Sequence, residues 1–400
     1  MSVEMPEDWP VVAIGSLTRV KRGASPRPIK DPRWFSDEGH GWVRISDVTA
    51  SDRVLLQTTQ YLSDAGKAAS VEIVPGDLIM SICGTIGRPL FSGIHACIHD
   101  GFVAFKEIDK SRLDPTYLYF TLQAQTRHFE AQSQPGTQRN LNSALVGKTE
   151  IPLPPLAEQR RIAEVLRSVD EAIAAAQQAA DHSRALQASL ITAQCYGHGH
   201  EMVSLGDVLT DIRYGTSAKC DASEADGYPV LRIPNVVNGR VELDDLKYAS
   251  VSDADLRRFS LEPDDIVVVR TNGNPAYIGR SALIAKGMMT CMFASYLIRM
   301  RFDERRAWSP YIYATLNSQP VREKLLKAAT TSAGNYNINT ASLKGITIPL
   351  PSLEVQHQIG EVIQAATEAA TACENEVNSS QQVKVALMSD LLSGRVRVPS

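Results

Sequence analysis

Cysteine is scarce and scattered in this chain. Six residues in 400 (Cys83, Cys97, Cys195, Cys220, Cys291 and Cys373) include no Cys-x-x-Cys pair. That spacing supplies neither a disulfide framework nor a zinc knuckle and points to a reducing cytoplasm. No apolar run approaches the roughly 18 residues a bilayer span needs. The opening Met-Ser-Val-Glu-Met-Pro-Glu-Asp has neither a basic leader nor an apolar signal core. A large excess of one charge is also missing: 41 Lys and Arg against 45 Asp and Glu leave a net charge of −4. This excludes coating nucleic acid by bulk charge, but not a local basic face. The remaining composition, 44% hydrophobic and 22% charged, is that of a globular protein. Four hundred residues suggest two or three domains.

Reaction motifs are missing as well. There is no Gly-x-x-x-x-Gly-Lys-Ser/Thr phosphate loop, and no Glu-x-Lys follows Pro263-Asp264 at strand spacing. Asn274-Pro-Ala-Tyr277 differs by one residue from an amino-methyltransferase signature. No strand followed by a glycine-rich cofactor loop precedes it, however. His198-Gly-His200 and the pair His95 and His99 read as linker and loop residues rather than metal ligands. No Ser or Cys has a base that the sequence can pair with it. The expectation is recognition rather than catalysis: no catalytic residues, no metal and no cofactor.

What the chain does contain is a duplication. Ile151-Pro-Leu-Pro-Pro-Leu-Ala-Glu-Gln159 recurs 197 residues later as Ile348-Pro-Leu-Pro-Ser-Leu-Glu-Val-Gln356, and a long helical pattern follows each copy. Apolar residues recur at Ile162, Leu166, Val169, Ile173, Ala176 and Ala180. They recur in the same steps at Ile359, Ile363, Ala366, Ala370, Cys373 and Val377. The ladder extends to Leu186 and Leu190, matched by Val383 and Leu387. Such a heptad register predicts a narrow seam for helix–helix pairing, with Ile162, Leu166, Val169, Ile173, Ile359, Ile363, Ala366 and Ala370 at its centre. Helices of about 40 residues would span roughly 60 Å, and the Pro-Leu-Pro stretches act as joints that cannot continue a helix.

The preceding segments repeat too. Val43-Arg-Ile-Ser-Asp-Val48 matches Leu231-Arg-Ile-Pro-Asn-Val236, and Thr85-Ile-Gly-Arg88 matches Tyr277-Ile-Gly-Arg280. Pro115-Thr-Tyr-Leu-Tyr119 matches Ser309-Pro-Tyr-Ile-Tyr313, and Thr137-Gln-Arg-Asn-Leu-Asn142 matches Gly334-Asn-Tyr-Asn-Ile-Asn339. Strand-like pieces fall at 41–45, 71–74, 77–82 and 101–105, and Asp114-Pro115 is suited to start a helix. The expected fold is α+β. Two similar mixed domains, residues 1–150 and 198–347, alternate with spacer helices at 151–197 and 348–400. The helices would pair as an antiparallel coiled coil with a pseudo-twofold internal repeat.

Clusters of Arg, Asn, Gln, Thr and Tyr in the loops suit the reading of base edges. Arg fits guanine O6 and N7, and Asn or Gln fits adenine N6 and N7. Candidates are Arg44, Arg88, Thr137, Gln138, Arg139 and Asn140 in the first domain. In the second they are Arg232, Arg270, Asn272, Asn274, Arg280, Asn335, Tyr336 and Asn337. Lys21, Arg22, Arg27 and Lys30 could meet phosphates.

The twin Pro-Leu-Pro motif and the ending Leu391-Leu-Ser-Gly-Arg-Val-Arg-Val398 resemble the type I restriction-modification specificity subunits. The resemblance covers essentially the whole chain. It implies two target recognition domains, each reading half of a bipartite, asymmetric sequence in double-stranded DNA. It also implies helices that measure the gap between halves and dock two modification (methyltransferase) subunits, with ATP-dependent restriction subunits joining the complex. Methylation and cleavage, and the cofactors they need, would belong to those partners in the cytoplasm. A recognition subunit of a related two-protein restriction enzyme, whose partner carries both activities, stays open, as does a bare coiled-coil scaffold. Two departures bear on docking. The first helix ends in Gln194-Cys-Tyr-Gly-His-Gly-His200, without the Leu-Leu-Ser-Gly of the second. The second begins Glu354-Val-Gln-His-Gln where the first has Ala157-Glu-Gln-Arg-Arg.

Overall fold

The computed structural model describes residues 6–132, 141–197, 199–221, 227–237, 239–332 and 334–398. The chain forms two compact units, Met1–Ala175 with Val377–Ser400, and Ala176–Glu376. Each long helix, Leu156–Tyr196 and Leu353–Leu392, contributes one half to each unit.

In the first unit the strand Val11–Ala13 pairs antiparallel with Glu150–Pro152, tying the start of the fold to the residues that lead into the long helix. Between them lie two five-stranded sheets. One runs Arg19–Arg22, Phe102–Lys106, Leu78–Ser81, Pro89–Ser92, Val54–Leu55. The other runs Phe35–Ser36, Tyr61–Leu62, His40–Val43, Ala96–Ile98, Val71–Ile73. The strand expected over 41–45 stops at Val43. There the Asp47 carboxylate accepts the Arg44 amide at 2.8 Å and starts a short helix, Ile45–Ala50. Asp114 starts the helix Pro115–Ala124 by accepting the Thr116 and Tyr117 amides at 2.9 and 3.0 Å. That helix buries Tyr117, Leu118 and Phe120 against Leu78, Met80, Val103 and Phe105. Each such side chain contributes roughly 1.5–3 kcal/mol.

The second unit repeats the plan. Met202–Ser204 pairs with Thr347–Pro349. A four-stranded sheet runs Leu209–Tyr214, Leu297–Phe302, Ile266–Val269, Ser281–Leu283, beside the helix Ser309–Leu316. A three-stranded sheet takes Lys247–Ala249, Tyr228–Leu231 and Met292–Phe293. Below them runs an ionic network. Arg299, 1% exposed, donates to Asp211 at 2.7 Å and to the Ser260 carbonyl, and Arg301 donates to Asp265 at 2.6 Å. Burial alone would raise the pKa of Asp211, but hydrogen bonds from Arg213 and Arg299 outweigh it and hold the group at about 2.

The Pro-Leu-Pro joints are held identically in both units. The Tyr117 hydroxyl donates to the Pro152 carbonyl and that of Tyr311 to Pro349, both at 2.9 Å. Gln159 is fully buried. Its amide nitrogen donates to the carbonyls of Arg112 and Pro154, and its oxygen accepts the Asp114 amide. Gln356 makes the same three bonds to Arg306, Pro351 and Trp308. The motif glutamine therefore locks the first turn of each long helix onto its own domain. The residue before it differs. Glu158, buried, accepts Arg397 at 2.7 Å, so the C-terminal tail folds onto the first unit, while Val355 holds the matching place in the second.

Within each unit the two helix halves run antiparallel. In the first, Lys384 pairs with Asp170 at 2.6 Å. In the second, Arg184 pairs with Glu374 at 2.6 Å and Gln187 donates to Thr367 at 2.6 Å. Ile162 and Leu166 lie inside the first unit's domain core, and Ile359 and Ile363 inside the second's. Val169, Ile173 and Ala366 are half-buried, whereas Ala180, Ala370 and Val377 are buried. Leu186 and Val383 depart from the expected ladder, being 61% and 52% exposed. Beyond Ala180 and Val377 the next buried positions are Ile191 and Met388. Each lies 11 residues on, three turns at about 3.67 residues, so the heptad phase is lost there.

Candidate nucleic-acid interface

The most connected group of candidate residues lies in the second unit. Thr271–Asn272 pairs antiparallel with Asn335–Asn337, which pairs in turn with Thr330–Ser332. This small ribbon brings together two loop clusters some 65 residues apart in sequence: Thr271 stands opposite Asn337 and Asn272 opposite Tyr336. Arg270 enters it with its guanidinium donating to Asn337 Oδ1 at 3.0 Å and to the Ser295 carbonyl, over the Tyr214 ring at 4.6 Å. Asn272 accepts the Asn274 amide at 2.8 Å, and Asn274 accepts that of Ala276 at 3.0 Å, fixing the short turn Pro275–Tyr277. The near-signature Asn274-Pro-Ala-Tyr277 is thus a capped turn. Gly334, at φ +80°, makes the reversal between the last two strands.

Two other candidates, Arg232 and Arg88, are spent on structure. Arg232 donates to Asp245 at 3.1 Å and to its carbonyl, and Arg88 donates to the Ser51 carbonyl at 2.6 Å. Arg280 lies over the Tyr277 ring at 3.7 Å.

In the first unit Lys21 and Arg22 are exposed on the edge strand Arg19–Arg22, where Arg22 donates to the Asp100 carbonyl at 2.8 Å. Arg27 pairs with Asp100 at 3.0 Å. Arg44 is exposed over Trp42 and donates to Gln60 at 3.1 Å. Thr137, Gln138, Arg139 and Asn140 lie outside the described residues. The residue after them, Leu141, donates its amide to the Ile82 carbonyl, as Ile338 does to Arg270. Leu141 therefore makes within the first unit the backbone bond that Ile338 makes beside the ribbon within the second.

Two exposed aromatics at the ribbon, Tyr214 and Tyr296, were not singled out from sequence. Tyr214 accepts the Thr340 amide at 3.2 Å, and the Tyr296 carbonyl accepts the Arg270 amide. The repeat held a signal for the first. Tyr214 precedes Gly215 as Arg22 precedes Gly23, and at either glycine a Cβ would meet backbone oxygen at 2.1 Å.

The units also differ at the helix end. Tyr196 packs against the second unit's core with its hydroxyl buried, and burial raises its pKa. The matching place in the first unit holds Ser393. There a groove of about 890 Å³ runs along Thr121, Gln125, Lys384, Met388 and Leu392.

The chain thus carries a duplicated mixed fold on paired helices, with a ribbon of Arg, Asn and Tyr in the second unit. The sequence matches the type I restriction modification DNA specificity domain over residues 6–180 and 198–383, and the chain belongs to that family. Similar curated proteins include the type I restriction enzyme EcoKI specificity subunit of Escherichia coli strain K12, 22% identical over 94% of this chain and 86% of that one. The StySPI specificity subunit of Salmonella potsdam is 24% identical with the same coverage. Among solved structures, the S subunit from M. genitalium aligns with a TM-score of 0.57 at 14% identity, covering 98% of both chains. A chain from a type I R-M system, solved for its complex assembly and conformational transition, aligns at 0.62 and 17%, covering 98% of this chain and 100% of that one. At these identities the likeness shows the fold. Among the described residues no helix is long and apolar enough to cross a membrane.

Proposed function

We propose that this chain is the non-catalytic specificity subunit of a type I restriction-modification complex. Each unit reads one half of a bipartite, asymmetric DNA sequence. The long helices serve as the spacer that sets the gap, and they dock two modification subunits, through which restriction subunits join. The observation that carries the reading is the ribbon that sets Arg270, Asn272, Tyr336 and Asn337 side by side in the second unit, the residue types that read base edges. The names of its relatives, specificity subunits of type I restriction enzymes, support it. The groove at Ser393 and its filling by Tyr196 in the other unit favour unequal docking at the two helix ends.

Co-expression with the modification subunits, followed by strand-specific methylome sequencing, tests this. Adenine methylation at a single gapped motif is expected. Substituting Asn272 and Tyr336 should alter one half of that motif and leave the other intact. Removing one heptad from each helix should change the gap and neither half. Methylation without sequence preference, or none, overturns the reading.

A further inference from the structure

Two arginines of the second unit share one acceptor, and among the described residues neither pairs with a carboxylate. Arg280 donates from Nε to the Ala276 carbonyl at 3.3 Å, and Arg322 donates to the same oxygen from its guanidinium at 3.2 Å. The other terminal nitrogen of Arg322 is buried with no hydrogen-bond partner among the described residues. Burial first, and then the charge of Arg280, push the pKa of Arg322 down. Elsewhere in this unit Arg213 and Arg299 hold Asp211, Arg301 holds Asp265 and Arg232 holds Asp245, while Arg270 donates to Asn337 and the Ser295 carbonyl. Two like charges brought together, one partly desolvated, are costly without an anion between them.

The local backbone makes room for the pair. Gly279, at φ +72°, lies under the Arg322 guanidinium, and a Cβ there would fall 2.9 Å from Nη1. The shared carbonyl belongs to the turn Pro275–Tyr277, four residues beyond the end of the ribbon strand Thr271–Asn272. The arginines therefore flank the ribbon. Among the described residues the first unit has no such pair: Gly87 meets Thr126 where Gly279 meets Arg322, and Arg88 is turned to the Ser51 carbonyl.

We propose that Arg280 and Arg322 form a phosphodiester site, taking one backbone phosphate of the duplex whose bases the ribbon reads. This rests on the DNA-reading function above. A phosphate supplies the missing negative charge and can accept planar, charge-assisted hydrogen bonds from both guanidiniums. The contact positions the duplex without reading its sequence, and it belongs to the second unit alone.

The test uses the full chain co-purified with its modification subunits and a mixed-sequence 30-base-pair duplex, with affinity measured against salt. Arg322→Met and Arg280→Met keep the apolar stems and remove the charges. Each should weaken binding to every duplex by a similar factor and lower the slope of log affinity against log salt by about 1. The unfolding temperature of R322M should be unchanged or raised, because an unpaired charge is removed. Wild-type affinity and salt slope in both variants would overturn the proposal. So would a lowered unfolding temperature in R322M alongside wild-type binding by R280M, which marks a structural role. If the unsubstituted complex binds no duplex at any salt, the DNA-reading function fails first, a result distinct from either.

Discussion

The Trp308 ring lies across the bare backbone of Gly360: a Cβ there would fall 2.0 Å from the ring carbon Cζ3. The ring also lies tilted against His357, with 4.3 Å between centroids. Gly360 sits inside a 40-residue helix, where alanine would ordinarily gain about 1 kcal/mol. Overpacking against Trp308 costs about 1–3 kcal/mol and should win. Gly360→Ala is therefore expected to destabilise the second unit, seen by calorimetry. Ala163 holds the matching place in the first helix, and Ala163→Gly should cost about 1 kcal/mol there. A G360A protein more stable than wild type would mean that the ring swings clear.

The motif glutamines give a second prediction. Gln356→Ala strands the Arg306 and Pro351 carbonyls and the Trp308 amide, and each buried group left unpaired costs about 1–3 kcal/mol. Denaturant titration should show a loss of at least about 2 kcal/mol, and Gln159→Ala a similar loss in the first unit. Gln356→Glu should be destabilising at neutral pH, because it sets a carboxylate oxygen against two carbonyls, and should recover in part as the pH is lowered. Wild-type stability in Q356A would show that water replaces the side chain freely.

Leu166 and Leu186 separate domain core from helix back. Leu166 is fully buried in the first unit's core, so Leu166→Ala should cost about 2–5 kcal/mol and unfold that unit early. Leu186 is exposed, so Leu186→Ala should stay within about 0.5 kcal/mol of wild type. Equal losses in the two variants would restore the uninterrupted heptad ladder.

His99 gives the first unit a pH response. Burial first, and then the nearby Arg44 charge, lower its pKa from 6.5 to about 4, against an opposing pull from Asp100. The ring packs edge-on to Trp42 and Phe102, and Nδ1 accepts the Gly101 amide at 2.9 Å. The unfolded chain binds the proton first. The stability is therefore fully present above pH 6.5 and is lost as the pH falls towards 4, about 3 kcal/mol in all. His99→Asn keeps an acceptor for the Gly101 amide and removes the titration. Its unfolding free energy should fall less steeply across that interval than the wild type's, and identical slopes would count against a buried neutral imidazole.

The duplication, the strand starts and both helix starts were legible because they depend on local chemistry. Asp114 caps its helix from two residues away, and Pro-Leu-Pro ends one element before another begins wherever it occurs. The heptad ladder was legible only as far as Ala180 and Val377. Beyond them Ile191 and Met388 pack into the domain cores, and the local phase follows about 3.67 residues per turn rather than 3.5. Of the candidate interface, the ribbon residues stood in sequence as two separate polar clusters. Tyr214 and Arg322, each distant along the chain, joined them only through folding.

The sequence by itself determined that the framework is used twice and that a glutamine follows each joint, because periodicity and turn chemistry act over a few residues. Only the tertiary structure decided what those residues do. Gln159 and Gln356 lock helix to domain through carbonyls some 50 residues away. Arg88 and Arg232 are spent on carbonyl and carboxylate partners inside the fold, while Arg280 and Arg322 pair with no carboxylate among the described residues. The reason is physical: whether a polar side chain is spent or available depends on which long-range neighbours reach its donors, and no local pattern encodes that.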